Sequence, residues 1–208
     1  MQKTATATLY RQELKIRILK KSMEAFKAKG IKSVKMDDLA SELSISKRTL
    51  YEIYSNKEQL LLEALHVYEA EHDEHMKTFA ADPTHNVIDI LLEFYNWQIR
   101  RLENINPAFF SEMAKYKTVI DYLHSKHEER EKNSHMFFER GVREGYFRKN
   151  VHFGILSDIG NACTSHIMES RMYKKYDMDM LMHNIILLFI RGICTKEGVE
   201  LLDRSLGE

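Results

Sequence analysis

Prolines and cysteines are both scarce in this sequence, with two of each among 208 residues. Because prolines are so few and 44% of the residues are hydrophobic, we expect a packed core and few long loops. Cys163 and Cys194 fall on apolar faces of predicted helices, which is typical of reduced thiols in the core of a cytoplasmic protein. A disulfide between these two cysteines is the alternative interpretation.

Long apolar runs are also absent from the sequence. The longest apolar block, Ile185 to Ile190, is far shorter than the roughly 20 residues needed to span a bilayer. The N-terminus contains Lys3 but lacks the apolar stretch of a signal peptide. The sequence therefore predicts a cytoplasmic protein that makes no contact with a membrane.

Motifs for catalysis are missing as well. The sequence has no glycine-rich phosphate loop, no nucleophile elbow and no HExxH motif. Three pairs of potential metal ligands have the i, i+3 spacing of a helix: His72/His75, His124/His127 and Cys163/His166. A metal site needs further ligands, and such pairs arise easily by chance. We therefore expect no enzyme, no metal and no cofactor. An α-helical metalloenzyme remains an alternative, and it would retain stoichiometric metal after purification.

The formal net charge of zero hides a strong separation of charge along the chain. Residues 1–57 contain 13 Lys and Arg but only 6 Asp and Glu, a balance of +7. The remaining residues carry the opposite balance, −7. A basic first quarter joined to an acidic body is typical of a module that binds a polyanion and is attached to a domain that does not.

The segment from Lys35 to Lys57 has the pattern of two short helices joined by a tight turn. Apolar residues at i, i+3, i+4 and i+7 predict the first helix: Met36, Leu39, Ala40 and Leu43. Ser46 is then a good N-cap for a second helix over Lys47–Ile53. This is the pattern of a helix-turn-helix, which presents the start of its second helix to DNA bases. An ordinary helix pair with a solvated basic face is the alternative.

The flanking segments complete a three-helix unit. A helix over about Leu9–Lys29, after a polar tail at residues 1–8, forms the platform under the helix-turn-helix, and Gly30 ends it. Ser55 and Glu58 predict a capping box at the start of a fourth helix that runs to about Phe79.

The rest of the chain predicts a helical body. A helix over about Thr84–Leu102 is apolar on most sides and is expected at the centre of this body. Later helices follow Asn150 and Asp177, and their surplus apolar surface predicts a symmetric dimer. The expected fold is all-α, with an N-terminal helix-turn-helix domain at residues 1–56 (motif about 35–54) and a C-terminal helical bundle for ligand binding and dimerisation at 57–208.

The basic unit resembles the N-terminal domain of the tetracycline-repressor (TetR) family. The residues that carry the resemblance keep their order and spacing without a gap: Arg17-Ile18-Leu19, Phe26, Gly30, Asp38-Leu39-Ala40, Ser46-Lys47-Arg48-Thr49-Leu50-Tyr51, Tyr54 and Lys57. The sequence departs from the family pattern at Ser44, where glycine is usual in the turn, and at Lys35, where threonine is frequent. Ile53-Tyr54 also stands where Tyr-Phe is frequent. Ser44 makes the backbone geometry of the turn less favourable.

The resemblance implies a set of DNA-binding residues. These are Lys35, Ser46, Lys47, Arg48, Thr49, Tyr51 and Lys57. Arg48 and Thr49 would face base edges, whereas Lys47, Tyr51 and Lys57 would contact the phosphate backbone. Core packing is the alternative role for Tyr51. The resemblance also implies a homodimer in which the last two helices pair with their counterparts in a four-helix bundle.

TetR-like proteins bind a small effector in their C-terminal domain, and aromatic residues are the candidates for that pocket. They are Phe94, Trp97, Phe110, Tyr116 and Phe137, with core packing as the alternative. The predicted function is a DNA-binding transcriptional regulator, a repressor released from a palindromic operator by a small-molecule effector. An all-α ligand-binding or interaction module that does not read DNA is the alternative.

Overall fold

The computed structural model describes residues 2–102 and 105–207, and its regular structure over these ranges is helical. Ten α-helices lie within them: α1 Gln2–Lys29, α2 Met36–Glu42, α3 Lys47–Ile53, α4 Lys57–Ala81, α5 Val87–Leu102, α6 Ala108–Met113, α7 Lys117–Arg143, α8 Phe153–Glu169, α9 Met178–Ile193 and α10 Lys196–Leu206. A short 3-10 helix occupies Met172–Lys174. The prediction of an all-α fold is therefore confirmed. No helix among the described residues is both long enough and apolar enough to cross a membrane.

Contacts between residues divide the chain into two compact units. The N-terminal unit comprises Met1–His72 and Asn104–Tyr122, and the C-terminal unit comprises Asp73–Glu103 and Leu123–Glu208. The N-terminal unit thus contains α4 as far as His72, α6 and the start of α7 in addition to the three predicted helices. The functional boundary between residues 56 and 57, with DNA binding before it and ligand binding and dimerisation after it, stays a prediction.

The core of the N-terminal unit lies between α1, the helix-turn-helix and the start of α4. Its largest side chains are almost completely buried: Ile18, Phe26, Ile31, Leu39, Leu50, Tyr54, Leu60 and Leu61. Gly30, at φ +80°, ends α1, and its amide donates to the carbonyl of Phe26 at 2.9 Å. Ile31 is fully buried beneath the hairpin. Burial of this set fixes the platform on which α3 rests.

Two predicted helix starts in the N-terminal unit are wrong. The expected polar tail is helical from Gln2, because the alanine-containing segment lacks glycine and proline and simply extends α1. At α4, Asn56 is the cap: its Oδ1 accepts from the Gln59 amide at 2.9 Å. Gln59 in turn accepts from the Ser55 amide at 2.9 Å. Asn56 therefore replaces Ser55 as the cap, and Glu58 accepts from the Thr118 hydroxyl at 2.6 Å instead of closing a capping box.

Helix α5 lies at the centre of the C-terminal unit, as its apolar sequence predicted. Val87, Ile88, Leu91 and Tyr95 pack in one buried cluster with residues of α9 and α10, namely Leu187, Ile190, Ile193 and Leu202. The helix starts at Val87 rather than near Thr84, because Asn86 Oδ1 accepts from the amides of Ile88 and Asp89 at 2.8 and 3.2 Å.

One ion pair bonds to backbone groups at both ends of the segment that connects α4 and α5. Arg140, on α7, pairs at 2.6 Å with Glu144, which directly follows that helix. The Arg140 guanidinium donates to the carbonyls of Ala80 and His85, and Glu144 Oε2 accepts from the Val87 amide at 2.9 Å. The pair therefore satisfies backbone groups at the end of one helix and the start of the next.

Helix α10 was not predicted from the sequence. Thr195 caps it by accepting from the Gly198 amide at 3.2 Å. The chain before it is tied to the segment after α7, where the Arg148 amide donates to the Ile193 carbonyl at 2.9 Å. The two late helices with surplus apolar surface, α8 and α9, are consequently not the last two of the chain.

Both cysteines have free thiols. Cys194 is fully buried at the junction of α9 and α10, and burial raises its pKa to about 11. Cys163 is half-buried on α8.

Candidate nucleic-acid interface

The helix-turn-helix has the bounds that the sequence predicted. Helix α2 follows Lys35, whose backbone is extended, and buries Met36, Leu39 and Ala40. Helix α3 spans Lys47–Ile53, and the Ser46 hydroxyl caps it by accepting from the Thr49 amide at 3.0 Å. The start of α3 is therefore held by a local hydrogen bond within the motif itself.

The turn between the two helices has a left-handed residue. Ser44 has φ +56°, a conformation that favours glycine because a Cβ atom is crowded there. Its amide donates to the Ser41 carbonyl at 3.0 Å, and the next amide, of Ile45, donates to the Ala40 carbonyl at 3.0 Å. These bonds hold the turn although its central residue carries a side chain.

Ser44→Gly is expected to raise the free energy of unfolding by up to about 1 kcal/mol. Relief of the left-handed conformation outweighs the extra entropy that glycine gives the unfolded chain. Denaturant unfolding of the purified variant measures the change. Ser41→Gly is the matched control, because Ser41 is exposed in the last turn of α2, where glycine relieves no left-handed conformation and should not raise stability. A lower stability for Ser44→Gly would contradict the expectation.

The two cations in the first turn of α3 both contact carboxylates. Lys47 Nζ lies 2.5 Å from Asp37 Oδ2 on α2, and the hydrogen bond and charge of Asp37 raise the pKa of Lys47. Arg48 Nε lies 2.7 Å from Glu52 Oε1, one turn further along α3. The Arg48 side chain is 88% exposed, so its guanidinium is accessible to a large ligand.

The remaining candidates on the motif differ in accessibility. Tyr51 is 47% exposed on α3, which argues against the core-packing role, whereas Tyr54 is fully buried. Burial, with the charge of Glu63 nearby, raises the pKa of the Tyr54 phenol. Thr49 Oγ1 lies 2.7 Å from the Ser46 hydroxyl, and Lys35 is exposed.

The Lys57 ammonium forms hydrogen bonds within the protein. Its Nζ donates to the carbonyls of Ile31 at 2.9 Å and Lys32 at 3.3 Å, in the segment between α1 and α2. Burial lowers the pKa of Lys57, and the charge of Glu112 acts in the opposite direction. A phosphate contact through Lys57 stays a prediction, and it would require the ammonium to leave these carbonyls.

Two residues of the motif were missed as functional candidates, Asp37 and Glu52. The i, i+4 spacing of Arg48 and Glu52 was visible in the sequence. The contact of Asp37 with Lys47 joins different helices and depends on the fold.

The aromatic candidates for an effector site have different surroundings. In the N-terminal unit, Phe110 packs edge-on against Phe109 with ring centroids 5.5 Å apart, and burial raises the pKa of Tyr116. In the C-terminal unit, Trp97 stacks on His75 at 4.6 Å. Phe137 packs edge-on against Phe138 and Phe147, and Phe94 is half-buried. Their assignment to a pocket stays a prediction.

Over the ranges described, no three His, Cys, Asp or Glu side chains are grouped to hold a metal ion.

Parts of the sequence match bacterial regulators. Residues 18–64 match the family model for bacterial regulatory proteins of the tetR family. The chain is also 32% identical over 100 residues to an uncharacterized HTH-type transcriptional regulator, YvaF, from Bacillus subtilis (strain 168). This match spans 48% of the chain and about half, 52%, of the length of that relative.

Solved structures extend the likeness of fold to most of the chain. One is a transcriptional regulator from Saccharomonospora viridis in complex with choline, with a TM-score of 0.70 and 18% identity over 89% of this chain and 100% of that one. Another is a TetR-family regulator from Agrobacterium tumefaciens, with a TM-score of 0.69 and 14% identity over 89% and 100%. The helix-turn-helix at residues 36–53 and the match of the family model lead to one conclusion: residues 18–64 are a helix-turn-helix domain of the tetR family of bacterial regulatory proteins, in a chain that shares the fold of these solved regulators.

Proposed function

We propose that this protein is a cytoplasmic, dimeric transcriptional regulator, a repressor that a small-molecule effector releases from a palindromic operator. The observation that carries the proposal is the accessible first turn of α3, where the Arg48 guanidinium is almost fully exposed. The +7 balance of residues 1–57 supplies the positive potential that a polyanion requires.

In this proposal, α3 of each protomer enters a major groove. Arg48 donates two N–H groups to O6 and N7 of a guanine, and Thr49 lies beside it at the base edges. Lys35, Lys47, Tyr51 and Lys57 contact phosphates and set the register, while Ser46 holds the start of the helix. A symmetric dimer then reads two half-sites about 34–36 Å apart, or a multiple of that spacing.

The exposed apolar faces of α8 and α9 are the proposed dimer interface. Ile155 and Ile159 lie one turn apart on α8, at 57% and 46% exposure, and Leu188 on α9 is 71% exposed. Monomeric proteins rarely leave several large aliphatic side chains uncovered on neighbouring helices. Pairing with the same faces of a second copy would bury them in an isologous contact.

Control by an effector is proposed from the likeness to the TetR family, and the S. viridis protein in complex with choline is one protein of this fold with a small-molecule ligand. Of the aromatic candidates, Phe94, Trp97 and Phe137 lie in the C-terminal unit and are proposed for its site here, whereas Phe110 and Tyr116 lie in the N-terminal unit. An effector would shift DNA binding only by the difference between its affinities for the DNA-competent and the other conformation. The role proposed is regulatory and not catalytic.

Arg48→Ala tests the proposal. We expect it to weaken binding to the preferred duplex by about 5- to 150-fold and to relax the preference at one base position. A preferred duplex is first selected from a random pool with the wild-type dimer, and affinities are then measured at two salt concentrations. Lys132→Ala, at an exposed cation of α7, is the control that loses the same charge elsewhere.

Three outcomes separate the possibilities. Wild-type binding that weakens steeply with salt, together with a selective loss for Arg48→Ala, supports the regulator. Equal losses on selected and random duplexes would assign Arg48 to positioning on phosphates. No binding at low salt would overturn the proposal in favour of an all-α module that does not read DNA.

A further inference from the structure

We infer that Glu52 is a specificity-determining residue of α3. By holding one edge of the Arg48 guanidinium, it positions the terminal nitrogens of Arg48 for a guanine and disfavours their use on backbone phosphates. The inference rests on the proposed DNA-binding function and assigns a role to an acidic residue on the helix that would enter the groove.

The geometry of the pair uses one nitrogen of Arg48. Arg48 Nε donates to Glu52 Oε1 at 2.7 Å. Its two terminal nitrogens have no protein partner within residues 2–102 and 105–207. A guanidinium has five N–H donors in a fixed plane, so four remain for a ligand. Two donors at one edge are what guanine O6 and N7 require. The ion pair therefore orients the guanidinium without occupying the edge that would read a base.

Helix stability does not explain this pair. An i, i+4 pair stabilises a helix best when the acidic residue comes first, because anions favour the N-terminus and cations the C-terminus. Here the order is reversed: Arg48 lies in the first turn of α3 and Glu52 lies near its end. Both side chains are exposed, so the pair contributes little to folding. The arrangement opposes the helix dipole, which points to a role outside folding.

The Glu52 carboxylate also disfavours contacts of Arg48 with phosphates more than contacts of Arg48 with a guanine edge. A phosphate that approaches Arg48 must compete with Glu52 for the guanidinium, and like charge repels it. A guanine edge is uncharged and uses the free nitrogens, so it meets no such competition. Lys47 is paired in the same way with Asp37, at 2.5 Å. Both cations of the first turn are thus partly neutralised before DNA arrives, which lowers affinity for phosphates in general.

Glu52→Gln in the full-length dimer tests the inference. Binding is measured on the duplex selected by the wild type, on that duplex with the guanine read by Arg48 replaced, and on a random duplex, at several salt concentrations. We expect binding to the random duplex to strengthen several-fold and the ratio of selected to random affinity to fall about tenfold or more. The salt slope should steepen by up to about 1 per protomer, because one more phosphate contact becomes available.

Glu42→Gln is the matched control. Glu42 is a carboxylate on α2 that pairs with Lys29 at 3.1 Å, so its substitution removes the same charge and one surface ion pair outside α3. It should leave the guanine preference unchanged. In an Arg48→Ala background, Glu52→Gln should no longer alter base preference, because the group that it positions is gone.

The results discriminate clearly. If wild type binds no DNA, the proposed function itself fails. If wild type discriminates between duplexes but Glu52→Gln keeps the wild-type ratio, the DNA-binding function stands and this inference is overturned. A fall in the ratio as large with Glu42→Gln as with Glu52→Gln would also overturn it, because the effect would then be one of total charge.

Discussion

Leu188→Asp is expected to convert the proposed dimer into a monomer and to abolish high-affinity operator binding. Leu188 is the most exposed large aliphatic residue on the proposed α8–α9 face. In an isologous interface each substitution occurs twice, so two carboxylates would be buried without partners. The dissociation constant of the dimer should rise at least about a thousandfold. Sedimentation velocity at micromolar concentration measures the change directly.

Met136→Asp is the matched control for this substitution. Met136 is 75% exposed on α7, similar to Leu188, but lies outside the proposed interface. It should leave the oligomeric state unchanged. A Leu188→Asp protein that stays dimeric, or a Met136→Asp protein that dissociates, would contradict the assignment of the interface to α8 and α9. Loss of operator binding should accompany dissociation, because each monomer can then occupy only one half-site.

Gly141→Ala should lower the free energy of unfolding of the C-terminal unit by about 3 kcal/mol. A Cβ atom at Gly141, within α7, would overlap the ring of Phe147. That ring is buried and packs against Phe137 and Phe138, each with centroids 5.5 Å away, so it has little room to move. Gly141 also accepts hydrogen bonds from the amides of Tyr146 and Phe147, both at 3.0 Å, which hold the returning chain against the helix.

Denaturant unfolding measures the loss of stability in Gly141→Ala. Two further comparisons test whether the overlap with the Phe147 ring causes that loss. Gly192→Ala adds a methyl group to a helical glycine with open space around it, so it should raise stability by roughly 0.5–1 kcal/mol through helix propensity. In a Phe147→Ala background, Gly141→Ala should cost far less, since the overlapping ring is gone. If Gly141→Ala lowers the free energy of unfolding by as much in the Phe147→Ala background, the overlap with the Phe147 ring is not the cause.

Features set by neighbouring residues could be predicted from the sequence. The bounds of α3 follow from the Ser46 cap at its start and from a short helical pattern that ends at Tyr54. These two signals lie within ten residues of each other. The central position of α5 follows from its composition alone.

Features set by distant residues could not be predicted. Helix α10 contains Gly198, which as a sequence signal argues against a helix. In the structure the absence of a Cβ atom there is required, because the Tyr146 carbonyl occupies the space. The cap that Glu144 provides to the start of α5 joins residues more than fifty positions apart, and no local pattern indicates it.

The same distinction holds for the candidate site. Arg48 and Tyr51 were identified from their place in the motif, and both are exposed on α3. The attachment of Lys57 to the carbonyls of Ile31 and Lys32 depends on the path of the chain after Gly30 and has no signal at Lys57 itself. Asp37 looked only like a favourable residue at a helix start, and its contact with Lys47 needs the two helices in place.

The discontinuous make-up of the N-terminal unit has a consequence for synthesis. The Asn106 amide donates to the Lys27 carbonyl at 2.8 Å, and the Lys32 amide donates to Glu112 at 2.7 Å, so α6 completes the region behind the helix-turn-helix. A ribosome releases the helix-turn-helix long before it releases α6. The nascent chain therefore carries an unfinished N-terminal unit while α5 is being made. A chain cut short before Asn106 would leave the end of α1 without these partners, and in the proposed function such a fragment would compete poorly for the operator.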